Sequence, residues 1–187
     1  MEGKKNIVFG FLFLVITASL GPYMVVKLLP DVGNAALAKQ KVLSSLQLAV
    51  TSEFENQETL ETMTAEEIAK ANSEAILALN TNLNARLTVD TIKGGPHAHG
   101  NLEALLNIAV GLVLGLLTLS SLFKQILSWI FIVGTIMHSG MAFLAVFGFS
   151  WAGMLLGTGI GPVLILLGLF LMGVATFAGY KNKQLSE

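Results

Sequence analysis

Long apolar stretches at both ends of the chain flank one polar stretch. Residues 7–26 carry no charge and are mostly apolar, and the chain is apolar again from Leu102 to Tyr180. A helix of about 20 such residues crosses the hydrocarbon layer of a bilayer. The first stretch predicts one membrane-spanning helix, because it is too long for the apolar region of a signal peptide and residues 18–22 are a poor cleavage site. The second stretch has room for three more.

Two breaks divide the second apolar stretch. The first is the polar run 120–125, and the second is the glycine- and aromatic-rich run 147–162. The breaks separate three predicted helices, at about 101–121, 126–148 and 160–180. We therefore predict an all-α integral membrane protein, a four-transmembrane-helix bundle with a helical-hairpin extracytoplasmic insertion between its first two helices. The predicted regions are 1–30, the first transmembrane helix; 31–95, the hairpin; and 96–187, a three-helix region with a cytoplasmic tail.

Short basic flanks predict the orientation of the chain. Four spans place the flanking lysines on one side of the membrane, namely Lys4, Lys5, Lys124, Lys181 and Lys183. Basic residues in short flanks favour the cytoplasm, whereas long segments have little influence. We expect a multi-pass protein of the cell inner (plasma) membrane with both termini cytoplasmic and residues 31–95 periplasmic or otherwise extracytoplasmic.

The polar segment 31–95 has helical periodicity. Thr64 and Glu67 have the spacing of a capping box at a helix start. The apolar residues that follow predict one helical stripe, made of Ile68, Ala75, Ile76, Leu79, Leu83 and Leu87. An earlier stripe comprises Leu37, Val42, Leu46 and Val50. We expect a helical hairpin on the outer membrane surface. It either docks a partner subunit or soluble electron carrier, or packs only on its own bundle.

Composition confirms the membrane class and excludes several others. Of the residues 53% are hydrophobic and 12% are charged, whereas a soluble domain has roughly 25% charged residues. With 11 basic and 12 acidic residues, no cationic surface for nucleic acid is expected. The absence of cysteine excludes disulfides, thiolate metal sites and iron–sulfur clusters.

Two histidines precede the second predicted span. His97 and His99 lie two residues apart, so in an extended stretch both imidazoles face one side, whereas in a helix they diverge by about 200°. Glu103 follows His99 by one helical turn. These three residues form a candidate nitrogen and oxygen site for copper or zinc. The alternative, given equal weight, is a loop at the aqueous edge of the membrane that binds no metal.

His138 lies within the third predicted span, where ionisable residues are costly. A turn near Phe123 places His138 level with Asn107. His99 would then lie roughly 13 Å too far away to share one haem iron with His138. One interpretation is a neutral His138 hydrogen-bonded to Asn107 or to a hydroxyl group. The other is a cofactor site for haem or quinone, or a proton relay, with His138, His99 and Asn107 as its candidate residues.

A short motif resembles a known family. The run Pro96-His97-Ala98-His99-x-Asn101 at a helix start, followed by a histidine in the next helix, resembles small four-helix membrane proteins. These are themselves similar to subunit I of haem–copper oxidases of the cbb3 type. The resemblance covers the four spans and implies an association with haem b or copper through His97, His99 and Asn101, with His138 a looser correspondence. A complete subunit I has more helices and more histidine ligands, so oxidase activity of this chain alone is not implied.

These observations lead to three hypotheses. The first is an accessory subunit of a membrane redox or respiratory complex that binds haem b or copper through histidines. The second is a structural scaffold without a cofactor that docks partners through segment 31–95. The third is a small transporter or channel component. The expected partners are the lipid bilayer and other membrane subunits. No nucleophile, carboxylate pair or complete metal set lies within the predicted spans, so we do not expect catalysis by this chain alone.

Overall fold

The computed structural model describes residues 3–56 and 59–179, and this part of the chain is helical almost throughout. Three π-helical segments, π1 to π3, interrupt the α-helices. In chain order the elements are α1 (Lys4–Ala18), α2 (Leu20–Tyr23), π1 (Met24–Leu28), α3 (Leu29–Thr51), α4 (Ala65–Ile92), π2 (Lys93–His97), α5 (Ala98–Leu116), α6 (Ser121–Thr135), π3 (Ile136–Gly140), α7 (Met141–Val146), α8 (Ser150–Gly157) and α9 (Ile160–Gly179). Tyr180, Lys181 and Lys183 lie outside the described residues.

Within the part of the chain that the structure describes, four helical runs are long and apolar enough to cross a membrane. They extend over Lys4–Thr51, Ala65–Leu116, Ser121–Val146 and Ile160–Gly179. Apolar side chains cover the outside of the last run, where Phe177 is 94% exposed. These findings confirm the all-helical, multi-pass class and fit a bilayer environment. The side of the membrane on which residues 31–95 lie stays a prediction.

The chain divides into two compact units. Among the described residues, the first combines 3–21 with 91–179, and the second combines 22–56 with 59–90. The boundaries predicted at residues 30 and 95 separate membrane-spanning from extracytoplasmic segments, whereas these units are defined by packing. The predicted boundaries therefore stay predictions.

In the first unit α1 packs against α5 through small residues. A Cβ atom added to Gly10 would lie 2.6 Å from the carbonyl oxygen of Ala104, so only glycine permits this approach. Asn6 and Thr17, on the same face of α1, are fully buried, whereas Leu12 is 63% exposed. The buried face is thus small and polar and the outer face is apolar, as expected for a helix in lipid.

The connection between α5 and α6 lies earlier than predicted. α5 ends at Leu116, and α6 begins at Ser121 after Ser120, whose hydroxyl accepts a hydrogen bond from the amide of Phe123. This serine N-cap starts the helix at the beginning of the polar run 120–125, which was assigned to the turn. Lys124 therefore lies within α6 and is only 8% exposed.

The second predicted break contains a helix. α8 (Ser150–Gly157) occupies half of the glycine- and aromatic-rich run, and the chain turns before it at Gly148 and after it at Gly159. These two glycines have φ values of +91° and +70°, which only glycine adopts readily. Glycine content predicted the breaks but did not reveal the helix between them.

The second unit is a helical hairpin of α3 and α4. The predicted capping box is confirmed, since the amide of Thr64 donates to Glu67 Oε2 at 2.7 Å and the amide of Glu67 donates to Thr64 Oγ1 at 3.2 Å. A cleft of about 580 Å³ is lined from both helices, with Val42 and Leu46 on one side and Ala71 on the other.

The apolar residues predicted to form one stripe on α4 lie partly on its least exposed face, here called the seam, and partly on its exposed surface. On α4 the least exposed residues recur every three or four positions, namely Ile68, Ala71, Ala75, Ala78, Asn82, Ala85 and Val89. The remaining members of the predicted α4 stripe are exposed, namely Ile76, Leu79, Leu83 and Leu87. The seam on α4 is narrower than the predicted stripe, and alanine supplies four of its seven positions.

Asn82 is the one polar residue among these α4 seam positions, and it yields a first prediction. It is 2% exposed, and its Nδ2 atom has no hydrogen-bond partner among the described residues. A buried donor without a partner costs free energy. We expect Asn82→Ala to raise the protection of α4 amides against hydrogen exchange by about 1 kcal/mol more than Asn84→Ala does.

Asn84 is the matched control because it lies on the exposed side of the same helix. Both substitutions give the same gain in helix propensity, so the difference between them isolates the buried amide. Equal effects of the two substitutions on exchange would show that the Asn82 amide carries no penalty.

Candidate metal centre

Three ionisable side chains converge between α5 and π3. His99 and Glu103 lie one turn apart on α5, and His138 lies on π3. One potential ligand atom from each residue lies within 4.8 Å of the other two. Bonds of about 2.0 Å in a tetrahedral site require ligand atoms roughly 3.3 Å apart, so modest side-chain movements complete a metal site.

The π-helix positions His138. Segments of this kind insert an extra residue into a helix and are frequent at functional sites. α9 packs directly on this segment, since a Cβ atom added to Gly161 would lie 2.5 Å from the backbone nitrogen of His138.

Glu103 is buried and fully engaged. It is 5% exposed, its Oε1 lies 2.5 Å from Nδ1 of His138, and its Oε2 accepts a hydrogen bond from Ser139 Oγ at 2.7 Å. A carboxylate inside a bundle is costly unless such partners compensate it. A metal ion bound by both residues would lie between Glu103 Oε1 and the His138 ring in place of this contact, because a carboxylate on Nδ1 does not reach an ion on Nε2 of the same ring.

The predicted separation of His99 and His138 is wrong. Their ring centroids lie 5.2 Å apart, with the ring planes inclined at 54°. The prediction assumed a turn near Phe123, but the chain turns at residues 117–120. The earlier turn brings His138 level with Glu103 rather than Asn107, and the side chain of His99 spans the remaining helical turn.

His97 lies apart from this group. Its Nδ1 is 3.0 Å from the carbonyl oxygen of Thr17 and 3.5 Å from Nδ2 of Asn101. Thr17 in turn donates to Asn101 Oδ1 at 2.7 Å, so this cluster joins α1 to α5. The extended stretch that would have paired His97 with His99 is helical, and the two rings diverge as the helical alternative predicts. Of the candidate set His97, His99 and Glu103, the structure keeps the last two together and adds His138.

Asn107 belongs to a separate buried network. It donates to Thr135 Oγ1 at 2.9 Å and to the carbonyl oxygen of Glu103 at 3.0 Å, and it accepts from Asn6 Nδ2 at 3.0 Å. Ser128 Oγ completes the network by donating to Asn6 Oδ1. The expected hydrogen bond between His138 and Asn107 is therefore wrong, because Glu103 takes that place.

Two members of this network were not recognised in the sequence. Asn6 immediately precedes the first apolar stretch, and Ser128 is one hydroxyl among several in an apolar run. A polar residue inside a predicted span, or directly next to one, that shares a helix face with small residues is the signal that would have identified them.

A haem between the two imidazoles does not fit this arrangement. Iron–nitrogen bonds of about 2.0 Å on both sides would place the ring centroids roughly 6 Å apart, with a porphyrin plane passing through the gap. The observed 5.2 Å separation is shorter. Two imidazoles and a carboxylate suit a single zinc, copper or iron ion instead.

Comparison of the chain with protein-family models, with curated proteins and with solved structures gave no match. The resemblance to haem–copper oxidase subunit I stays a prediction.

Proposed function

We propose that this protein is a metal-binding accessory subunit of a membrane redox complex, with a copper ion held by His99, Glu103 and His138. The proposal depends on one observation, the convergence of two imidazoles and the buried carboxylate within 4.8 Å. Imidazole nitrogens suit copper, and copper can carry an electron, whereas zinc cannot. Glu103 is 5% exposed, and a buried ionisable side chain is expensive, which favours a functional role.

The proposed orientation puts this centre near the outer face. Lys5 Nζ lies 2.5 Å from Gln125 Oε1, so two of the basic flanks lie at one end of the first unit. His99 is in the first turn of α5, at the other end of that span. Cytoplasmic termini, with residues 31–95 on the opposite side, are consistent with these positions.

Metal binding is the direct test. The chain, purified in mild detergent and stripped with a chelator, is given one equivalent of Cu²⁺, desalted, and examined by elemental analysis and electron paramagnetic resonance. We expect one copper per chain, and at least a tenfold weaker affinity in His99→Ala and in His138→Ala.

His97→Ala is the matched control, because it removes an imidazole only two residues from His99 that lies outside the cluster. It should retain copper. A wild-type protein that binds no copper, or a His97 variant that loses it as the others do, contradicts the proposal. A Soret band in the purified protein would identify a haem protein instead.

The exposed face of the hairpin favours a second function, a scaffold that docks other subunits. Ile76 is 67% exposed and Leu83 is 55% exposed on α4, and Leu43 is 39% exposed on α3. Apolar faces of this kind commonly mark interaction surfaces. If this function applies, Ile76→Ser with Leu83→Ser reduces the mass of the native complex in mild detergent while metal content stays unchanged.

A further inference from the structure

The three proposed ligands are unequally enclosed. The Glu103 side chain is 6% exposed and that of His138 is 22% exposed, whereas His99 lies at the exposed side of the cluster. His99 is also the second residue of α5, at the end of its span. A metal ion at this centre is therefore enclosed on the Glu103 side and open on the His99 side.

Three protein ligands leave one coordination position of the metal ion to fill. The group comprises three residues among those described, each of which offers one ligand atom. Zinc and copper sites of this type take four ligands, and sites with three protein ligands complete their coordination with an exogenous one. An open side next to a three-ligand centre is where such a ligand binds.

Charge favours an anion in that position. Glu103 is the only acidic residue among the described residues of the first unit. A divalent ion with one carboxylate carries one net positive charge, and an uncompensated charge in a surrounding of low dielectric constant is costly. A monoanion on the metal makes the whole centre neutral.

We propose that the metal ion at His99, Glu103 and His138 carries a small monoanion as an exchangeable fourth ligand, bound from the His99 side. This inference rests on the proposed function, because it requires the metal to bind. It assigns the centre a ligand-binding role in addition to holding an ion, with small monoanions of the azide or hydroxide class as the ligands.

Azide titration of the copper-loaded full chain tests the inference. We expect an azide-to-copper charge-transfer absorption that saturates at one azide per copper, together with a changed electron paramagnetic resonance spectrum. Thiocyanate, another monoanion, should displace the azide. Sulfate at the same ionic strength should not displace it, because a dianion would leave the centre with a net negative charge.

The outcomes separate this inference from the proposed function. A protein that holds one copper whose spectrum does not change with azide has a closed centre, which overturns the inference and leaves the metal site intact. Azide that removes the copper, as shown by desalting, overturns it as well. A wild-type chain that binds no copper contradicts the proposed function itself. The His97→Ala variant should respond to azide as the wild type does.

Discussion

Replacing Asn107 with leucine is expected to destabilise the first unit by about 2–4 kcal/mol. Asn107 makes hydrogen bonds to Asn6 on α1 and to Thr135 on α6, and both partners are fully buried. Leucine is similar in volume but makes none of these bonds, nor the one to the Glu103 carbonyl oxygen; Asn6 Nδ2 keeps its second bond, to the carbonyl oxygen of Ser128 at 3.2 Å. Buried polar groups without partners account for the expected loss, which is measured as the free energy of unfolding in mixed micelles titrated with sodium dodecyl sulfate.

Thr176→Val is the control for this substitution. The Thr176 hydroxyl donates to the carbonyl oxygen of Met172 at 2.8 Å, a bond within its own helix α9. Its removal should change the free energy of unfolding by less than about 0.5 kcal/mol, since no other helix loses a partner. If Asn107→Leu is no more destabilising than Thr176→Val, the network does not hold the three helices together.

The spans and the capping box were predictable because each depends on residues close in sequence. An uninterrupted apolar run is enough to indicate a span, and the spacing of Thr64 and Glu67 is enough to indicate a helix start. The close approach of helices also left a local signal, since glycines such as Gly10 and Gly111 stand where backbones meet. Gly115, which completes a GxxxG pattern with Gly111, has no described neighbour at that distance, so the pattern overstates the contact.

The composition of the metal centre was less predictable because it depends on the register of two helices. An error of a few residues in the position of the α5–α6 turn separated His138 from Glu103 and paired it with Asn107. No residue pattern in the sequence marks π3, yet this π-helix determines where the His138 side chain lies. The choice between His97 and His99 likewise depended on whether the chain is helical at Ala98, since either conformation was compatible with the motif.

Replacing Gly161 with alanine is expected to disturb the metal centre from outside it. The added methyl group would lie 2.5 Å from the backbone nitrogen of His138 and 2.7 Å from the carbonyl carbon of Met137. Backbone atoms cannot rotate away as a flexible side chain does, so α9 and π3 must separate. We expect a loss of about 1–3 kcal/mol in the free energy of unfolding and a roughly tenfold to hundredfold weaker copper affinity, because His138 moves relative to Glu103.

Gly173→Ala on the same helix provides the matched comparison. A Cβ atom at Gly173 has no described atom within 4 Å, so this substitution only improves helix propensity. It should leave copper affinity unchanged and leave stability equal or slightly higher. Because both substitutions add one methyl group to α9, a difference in copper affinity arises from the contact with His138. Equal copper affinity in the two variants would show that the packing of α9 on π3 does not position the ligand.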